Sequence, residues 1–294
     1  MNNNSFFIKR DDLIPFSFGG NKARKAVYFF NEILSNDYDI VVTYGSGSSN
    51  HCRVVANLCS KYDLKCIIIS PEEEYKETFN SSLVNKFGAE IIKAPIDKIS
   101  DTIDNIMSEL SKNGKPYFIQ GGGHGNLGTK AYVDAYNEIC DFQKENDIYF
   151  DYIFHASGTG TTQAGLVCGA SLAKDYERKI IGISIARKNP RGKEVVENSV
   201  NEYLESVGFR DKAADIIFDD SYICDGYGKY NDQIVKTINE ILSSEGIPLN
   251  RTYSGKAFWG MTEYIKKNDI KKKRILFINT GGSPLFFDDL GEQI

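Results

Sequence analysis

Two lysines, Lys22 and Lys25, stand in FGGNKARKAVYFF (residues 18–30), directly behind a glycine pair and one helical turn apart. An amine so placed can serve as nucleophile or base if its surroundings keep part of it neutral. The stretch also opens an apolar helical pattern, so Lys22, Arg24 and Lys25 put positive charge at the positive end of a helix macrodipole. Cations sit badly there unless an anion lies nearby. SGTGTT (157–162) supplies a place for one. Gly158, Thr159, Gly160, Thr161 and Thr162 offer backbone N–H groups and hydroxyls where a second helical pattern begins, as a phosphate cradle requires. The loop lacks the GK[ST] ending of a P-loop and the GxGxxG of a dinucleotide fingerprint. Three more loops of small residues occur: GSGSSN (45–50), GGGHGN (121–126) and TGGS (280–283). One would be weak evidence, since glycine commonly turns or caps a chain. Four, each behind a strand-like run, point to a lined cleft.

Those loops need strands to end in them. DIVVT (39–43), KCIIIS (65–70), AEIIKA (89–94), PYFIQ (116–120), DYIFHAS (151–157), KIIGISIA (179–186) and RILFINT (274–280) are apolar or β-branched runs. Helical patterns lie between them: 52–62, 77–87, 97–112, 126–145 and one starting at Gln163. Continuous apolar strands alternating with helices predict an α/β fold of open, twisted, mostly parallel sheets with helices on both faces. In such folds ligands bind where strands end and helices begin.

At 294 residues the chain is long enough for two domains or one with an insertion. A net charge of −5 argues against nucleic-acid and anionic-membrane partners. The sequence shows neither a signal peptide nor a run long enough to span a bilayer, so a cytoplasmic protein is expected. Its six cysteines form no CxxC pair and read as reduced, small and buried; no metal centre is expected. Of the three histidines, His124 and His155 read as loop or core residues.

A lysine behind a glycine pair, a Gly/Thr phosphate loop and a Ser-Asn loop are the parts of a pyridoxal 5'-phosphate site. The whole chain resembles the pyridoxal-phosphate-dependent family containing D-cysteine desulfhydrase and 1-aminocyclopropane-1-carboxylate deaminase, of tryptophan-synthase-β-like fold (fold type II). KRDDLIPFSFGGNKARK, GSSNHCR, KFGAEII, SGTGTTQAG, DGYGKYND, YSGKAFWGM and INTGG carry the resemblance, in the family's order. It implies a large cofactor-binding domain over 1–25 and 126–294, a small domain over 26–125, and a homodimer.

By motif, Lys22 resembles the lysine that carries the cofactor as a Schiff base, and Lys25 the lysine that contacts its phosphate. Gly158 to Thr162 match the phosphate loop, and Asn50 the residue bonding the cofactor's 3′ oxygen. Ser49 and His51 resemble the pair that meets the substrate carboxylate and the reacting centre. Tyr227 resembles the active-site tyrosine near the substrate's β-carbon, and Tyr253 the one stacking on the pyridine face. Ring-opening deaminases of the family carry glutamate after that tyrosine and glutamine third in the SN loop; here those positions hold Ser254 and His51. A hydroxyl, from Ser254 or alternatively Thr280, would leave the pyridine nitrogen largely neutral and the electron sink weak. Both departures favour β-elimination from a small amino acid to a 2-oxo acid and ammonia. β-Replacement to a modified amino acid, ring opening, and a non-catalytic binding role are the alternatives.

Overall fold

Ile- and Val-rich runs become the centres of two parallel sheets in the computed structural model, which describes residues 3–73 and 77–291. The smaller sheet holds β2 (Ile40–Tyr44), β3 (Lys65–Pro71), β4 (Glu90–Ala94) and β5 (Pro116–Ile119), in the order β4-β3-β2-β5. The larger sheet holds β1 (Ser5–Arg10), β6 (Tyr152–Ser157), β7 (Lys179–Ser184), β8 (Ile217–Asp219) and β9 (Arg274–Asn279), in the order β1-β9-β6-β7-β8. All recorded strand pairs are parallel, so each sheet presents its strand ends, and the loops behind them, on one side.

Two strands escape sequence reading. β1 (SFFIKR) and β8 (IFD) are sheet edges, paired on one side only. An edge strand need not be apolar on both faces, and three residues show no period. The four small-sheet strands all fall within 26–125; residues 1–2 and 292–294 lie outside the described residues.

Ten helices cover the sheets among the described residues. They are α1 (Asn21–Ser35), α2 (Asn50–Lys61), α3 (Phe79–Lys86), α4 (Ile99–Leu110), α5 (Asn126–Glu145), α6 (Thr161–Leu172), α7 (Arg191–Ser206), α8 (Asp232–Glu245), α9 (Ser254–Lys267) and α10 (Ser283–Gly291). α6 is buried along nearly its whole length. Its Gly165 and Gly169 lie against Tyr132 and Tyr136 of α5, where an added Cβ would come within 2.4 and 2.5 Å of the tyrosine Cβ atoms. Small residues one turn apart thus let the two helices approach closely and fix where α6 begins.

The start of α1 is fixed by a polar network. Buried Asp11 accepts from Arg24 Nη2 at 3.0 Å and from the Tyr132 hydroxyl at 2.8 Å, and Arg24 also bonds Glu138 of α5. The acid-rich KRDDL segment therefore locks the first turn of α1 onto α5.

Candidate active site

Gly19 and Gly20 have φ of +60° and +92°, conformations open to glycine and costly to other residues. A side chain on Gly20 would stand 2.6 Å from the Thr280 carbonyl, and one on Gly281 2.6 Å from Gly20 Cα. The two glycine pairs are thus the crossing point of two backbones, tied by Asn21 N–H to the Thr280 carbonyl at 3.0 Å. That crossing aims the first turn of α1 into a cavity of about 640 Å³ between the strand ends, a size suited to a small-molecule site.

Lys22, Ser49, Asn50, His51, Gly158, Thr159, Gly160, Thr162, Tyr227, Tyr253 and Thr280 all line this cavity. Lys22 Nζ donates to the Gly122 carbonyl at 2.8 Å. Burial pulls its pKa down to about 8; the Cys52 thiol opposes and Arg187 reinforces the shift. A usable fraction is therefore neutral near neutral pH. Gly122 stays bare for the same reason, since a Cβ there would meet Thr159 Cγ2 at 2.6 Å and Lys22 Nζ at 3.2 Å.

Lys25, Thr161 and Ser254 do not stand on the wall. Lys25 is buried one layer behind, its Nζ donating to Thr161 Oγ1 at 2.7 Å. It reaches the phosphate loop at Thr161. Burial and then the neighbouring charge of Lys22 hold its pKa well below the usual lysine value. Ser254 Oγ accepts from the backbone N–H of Asn250 and from Asn250 Nδ2, both at 3.1 Å, and is fully buried. Thr280, the alternative to Ser254, does line the cavity.

Two helices begin at the cavity without an acid in their first turns, α2 behind Ser49 and α6 behind Gly160. Gly160 (φ +99°) caps α6 with no side-chain bond, which leaves the loop's N–H groups to an anion. Thr162 Oγ1 accepts from Asn21 Nδ2 at 3.1 Å, joining this cradle to the lysine-bearing turn. A glycine-bare cradle, a helix start and a buried amine with no carboxylate partner among the described residues fit a phosphate-bearing aldehyde cofactor.

The tautomer of His51 follows from its neighbours. Thr43 Oγ1 donates its proton to the Ile119 carbonyl at 2.7 Å, so His51 Nε2, 2.8 Å from that oxygen, must be the donor. Burial, then Lys22 and Lys25, hold the ring's pKa well below the usual value and keep it neutral. A neutral ring whose N–H is already committed cannot donate to a carboxylate. At the start of α2, Ser49 Oγ accepts from Cys52 N–H at 3.2 Å.

Tyr227, more than a third exposed, pairs its hydroxyl with that of Tyr253. Burial, with Tyr227 adding to it, holds the Tyr253 phenol well above its usual pKa. If Tyr253 donates, Tyr227 keeps its own proton for the cavity. Sequence reading overlooks Arg187, Asn21 and Gln120 and takes His124 for a loop or core residue; all four line the wall. Arg187 Nη1 donates to the Gly158 carbonyl at 2.8 Å, and His124 is held below its usual pKa chiefly by burial. The signal for Arg187 was its place three residues past the end of the parallel strand β7.

The chain matches the family model described as "Pyridoxal-phosphate dependent enzyme" over residues 1–281. It is 33% identical over 293 residues to a protein of Pyrococcus abyssi named a putative 1-aminocyclopropane-1-carboxylate deaminase, covering 98% of this chain and 87% of the relative. It is 30% identical to the D-cysteine desulfhydrase of Yersinia enterocolitica (serotype O:8 / biotype 1B), over 96% and 87%. A solved structure of an ACC deaminase homologue superposes with a TM-score of 0.86 at 30% identity, covering 98% of this chain and 89% of the other.

Proposed function

We propose the reaction of this chain from one premise: it belongs to the pyridoxal-phosphate dependent enzyme family. It is a lyase or deaminase that takes a small amino acid with a β leaving group to a 2-oxo acid and ammonia, in the manner of a D-cysteine desulfhydrase. The observation carrying this reading is the chemistry of the wall. Among the described residues lining the cavity none is aspartate or glutamate.

Lys22 would hold the cofactor through Nζ, with Gly158–Thr162 and the start of α6 receiving its phosphate and Asn50 its ring oxygen. When bound, the cofactor supplies a sink for the electrons freed at the substrate's Cα. A hydroxyl such as that of Thr280 can share a hydrogen bond with the ring nitrogen but cannot give it a proton as a carboxylic acid would. That leaves the sink weak, which favours prompt departure of a β substituent. Lys22 Nζ, partly neutral, or Ser49 Oγ takes the Cα proton. Tyr227 gives its phenolic proton to the departing group, with Tyr253 behind it. The substrate carboxylate lies at the start of α2 beside Ser49.

A cytoplasmic homodimer completes the reading; sizing of the purified protein tests the dimer. The activity is tested by supplying D- and L-amino acids with β leaving groups and following 2-oxo acid and ammonia, with and without added thiol. Release from D-cysteine or β-chloro-D-alanine is expected, with no new amino acid when thiol is present. Product from 1-aminocyclopropane-1-carboxylate alone would replace elimination by ring opening, the activity in the name of the Pyrococcus relative.

A further inference from the structure

Lys256 is fully buried in the first turn of α9, and the mechanism above does not use it. Its Nζ donates to three backbone carbonyls: Ile185 at 3.1 Å, Ile223 at 2.9 Å and Gly226 at 2.9 Å. Among the described residues no carboxylate pairs with it. A buried charge without a counter-ion is expensive, and an apolar side chain would fill the space at lower cost. What the ammonium holds is therefore informative.

Ile185 leads directly into Ala186 and Arg187 on the cavity wall. Ile223 and Gly226 open and close the turn that leads into Tyr227, with Gly226 at φ +123° immediately before it. Tyr253, the partner of Tyr227, caps the same helix three residues before Lys256. One ammonium thus fastens the wall behind β7 to the Tyr227 loop and both to α9. Only the protonated amine has three N–H donors for three carbonyls. Burial draws its pKa to about 8, with the Cys224 thiol opposing, so near neutral pH the protonated form still prevails.

We propose that Lys256 is a positioning residue, a cation built into the chain that fills a three-carbonyl cage and so holds Tyr227 at the cavity. The inference rests on the reading of Tyr227 as the side chain beside the leaving group. It carries a chemical corollary. Three inward carbonyl oxygens with the ammonium removed form a site for a monovalent cation of similar size, potassium or ammonium.

The test uses the holoenzyme and two variants. Lys256→Met fills the space without charge, and Lys256→Ala empties it. Hydrogen bonds from a charged donor are worth about 1.5–3 kcal/mol, so each variant should lose about 10- to 100-fold in kcat with little change in KM. Potassium or ammonium chloride should restore Lys256→Ala, choline chloride should not, and Lys256→Met should respond to neither. Trp259, the sole tryptophan, packs edge-to-face on Tyr222 at 5.6 Å and reports the loop without reference to turnover. Its emission should shift red in Lys256→Ala and return with potassium. Wild-type kcat in Lys256→Met would overturn the proposal. So would a Lys256→Ala variant whose kcat and emission ignore every monovalent cation. If Lys256→Ala does not fold, the Lys256→Met result decides alone. Should wild-type protein turn over no amino acid, the elimination reading fails, while the emission and thermal midpoint of Lys256→Ala against potassium still judge the cage.

Discussion

The two sheets meet the cavity with unequal backing. On the larger sheet β6, β7 and β9 are buried over all but their first residues, and α6 is buried nearly throughout. On the smaller sheet β3 and α2 are buried nearly as well, but the outer strand β5 buries only Ile119 and the covering helix α4 only Ile99. The glycine–threonine cradle, Thr280, Tyr227 and Tyr253 belong to the larger sheet's side, and Ser49, Asn50 and His51 to the side whose outer layer is thinner. A cradle for a bound anion must hold its N–H groups in fixed directions, which dense packing enforces. A surface that receives and releases substrate can rest on a layer that opens at lower cost. The comparison predicts that damage to the large-sheet side costs cofactor, and that damage to its projecting phenol costs chemistry alone.

The largest effect should come from Lys22, where the two sides meet. Lys22→Ala should lose all measurable turnover and the yellow absorbance of the loaded enzyme; retention of either would place the cofactor's attachment elsewhere. Tyr227→Phe should lower kcat by about 10²- to 10⁴-fold, the range of general acid–base contributions, with cofactor affinity unchanged. The loss should shrink on β-chloroalanine, whose leaving group needs no proton, and an equal loss on good and poor leaving groups would assign Tyr227 to positioning.

Lys25→Met should weaken cofactor binding by about 10- to 100-fold, from the loss of one charged hydrogen bond toward the cradle. The thermal midpoint of the cofactor-free protein should hold or rise, because a buried amine with no carboxylate partner has gone. A drop in that midpoint would make Lys25 a structural residue.

Lys22 also predicts a pH dependence. Its pKa is lowered to about 8, so the reactive neutral amine dominates above that value and is lost as pH falls. Cofactor reloading should slow by about tenfold per pH unit below it. A profile flat from about pH 6 to 9 would remove free Lys22 from the rate-limiting step. The smallest contrast is Ser254→Ala against Thr280→Val. The serine change leaves Asn250 donors unpaired and should cost about 1–3 kcal/mol of stability with near-normal kcat, whereas the threonine change should alter kcat. Reversed results would put Ser254 at the ring nitrogen.

Sequence reading reaches far here because its strongest signals are local. A parallel strand buried on both faces is a run of Ile and Val, and the loop behind it must be small to let a ligand approach, so seven strands and four loops are visible. β1 and β8 are not, since β1 ends in two cations and β8 is three residues long. Burial depth is also invisible. Nothing in NRTYSGKAFW separates Ser254, turned inward by Asn250, from Thr280 on the wall, because that depends on how α9 docks. The tautomer of His51 is fixed by Thr43 and Ile119, the latter 68 positions along the chain, and long-range pairing leaves no periodic trace. Lys256 is the sharpest miss, a lysine that composition assigns to the surface.

The crossing of Gly19–Gly20 with Gly281–Gly282, and the pairing of β1 with β9, join segments far apart along the chain. A ribosome adding about 5–20 residues per second finishes Lys22 roughly 10–50 s before Thr280. Through that interval the lysine exists without the carbonyl that anchors its turn, and the edge strand waits for its only neighbour. Catalytic competence therefore waits for Thr280 and Gly281 rather than accumulating along the chain. A chain that stops before them keeps every loop of the cradle and lacks the crossing that closes the site.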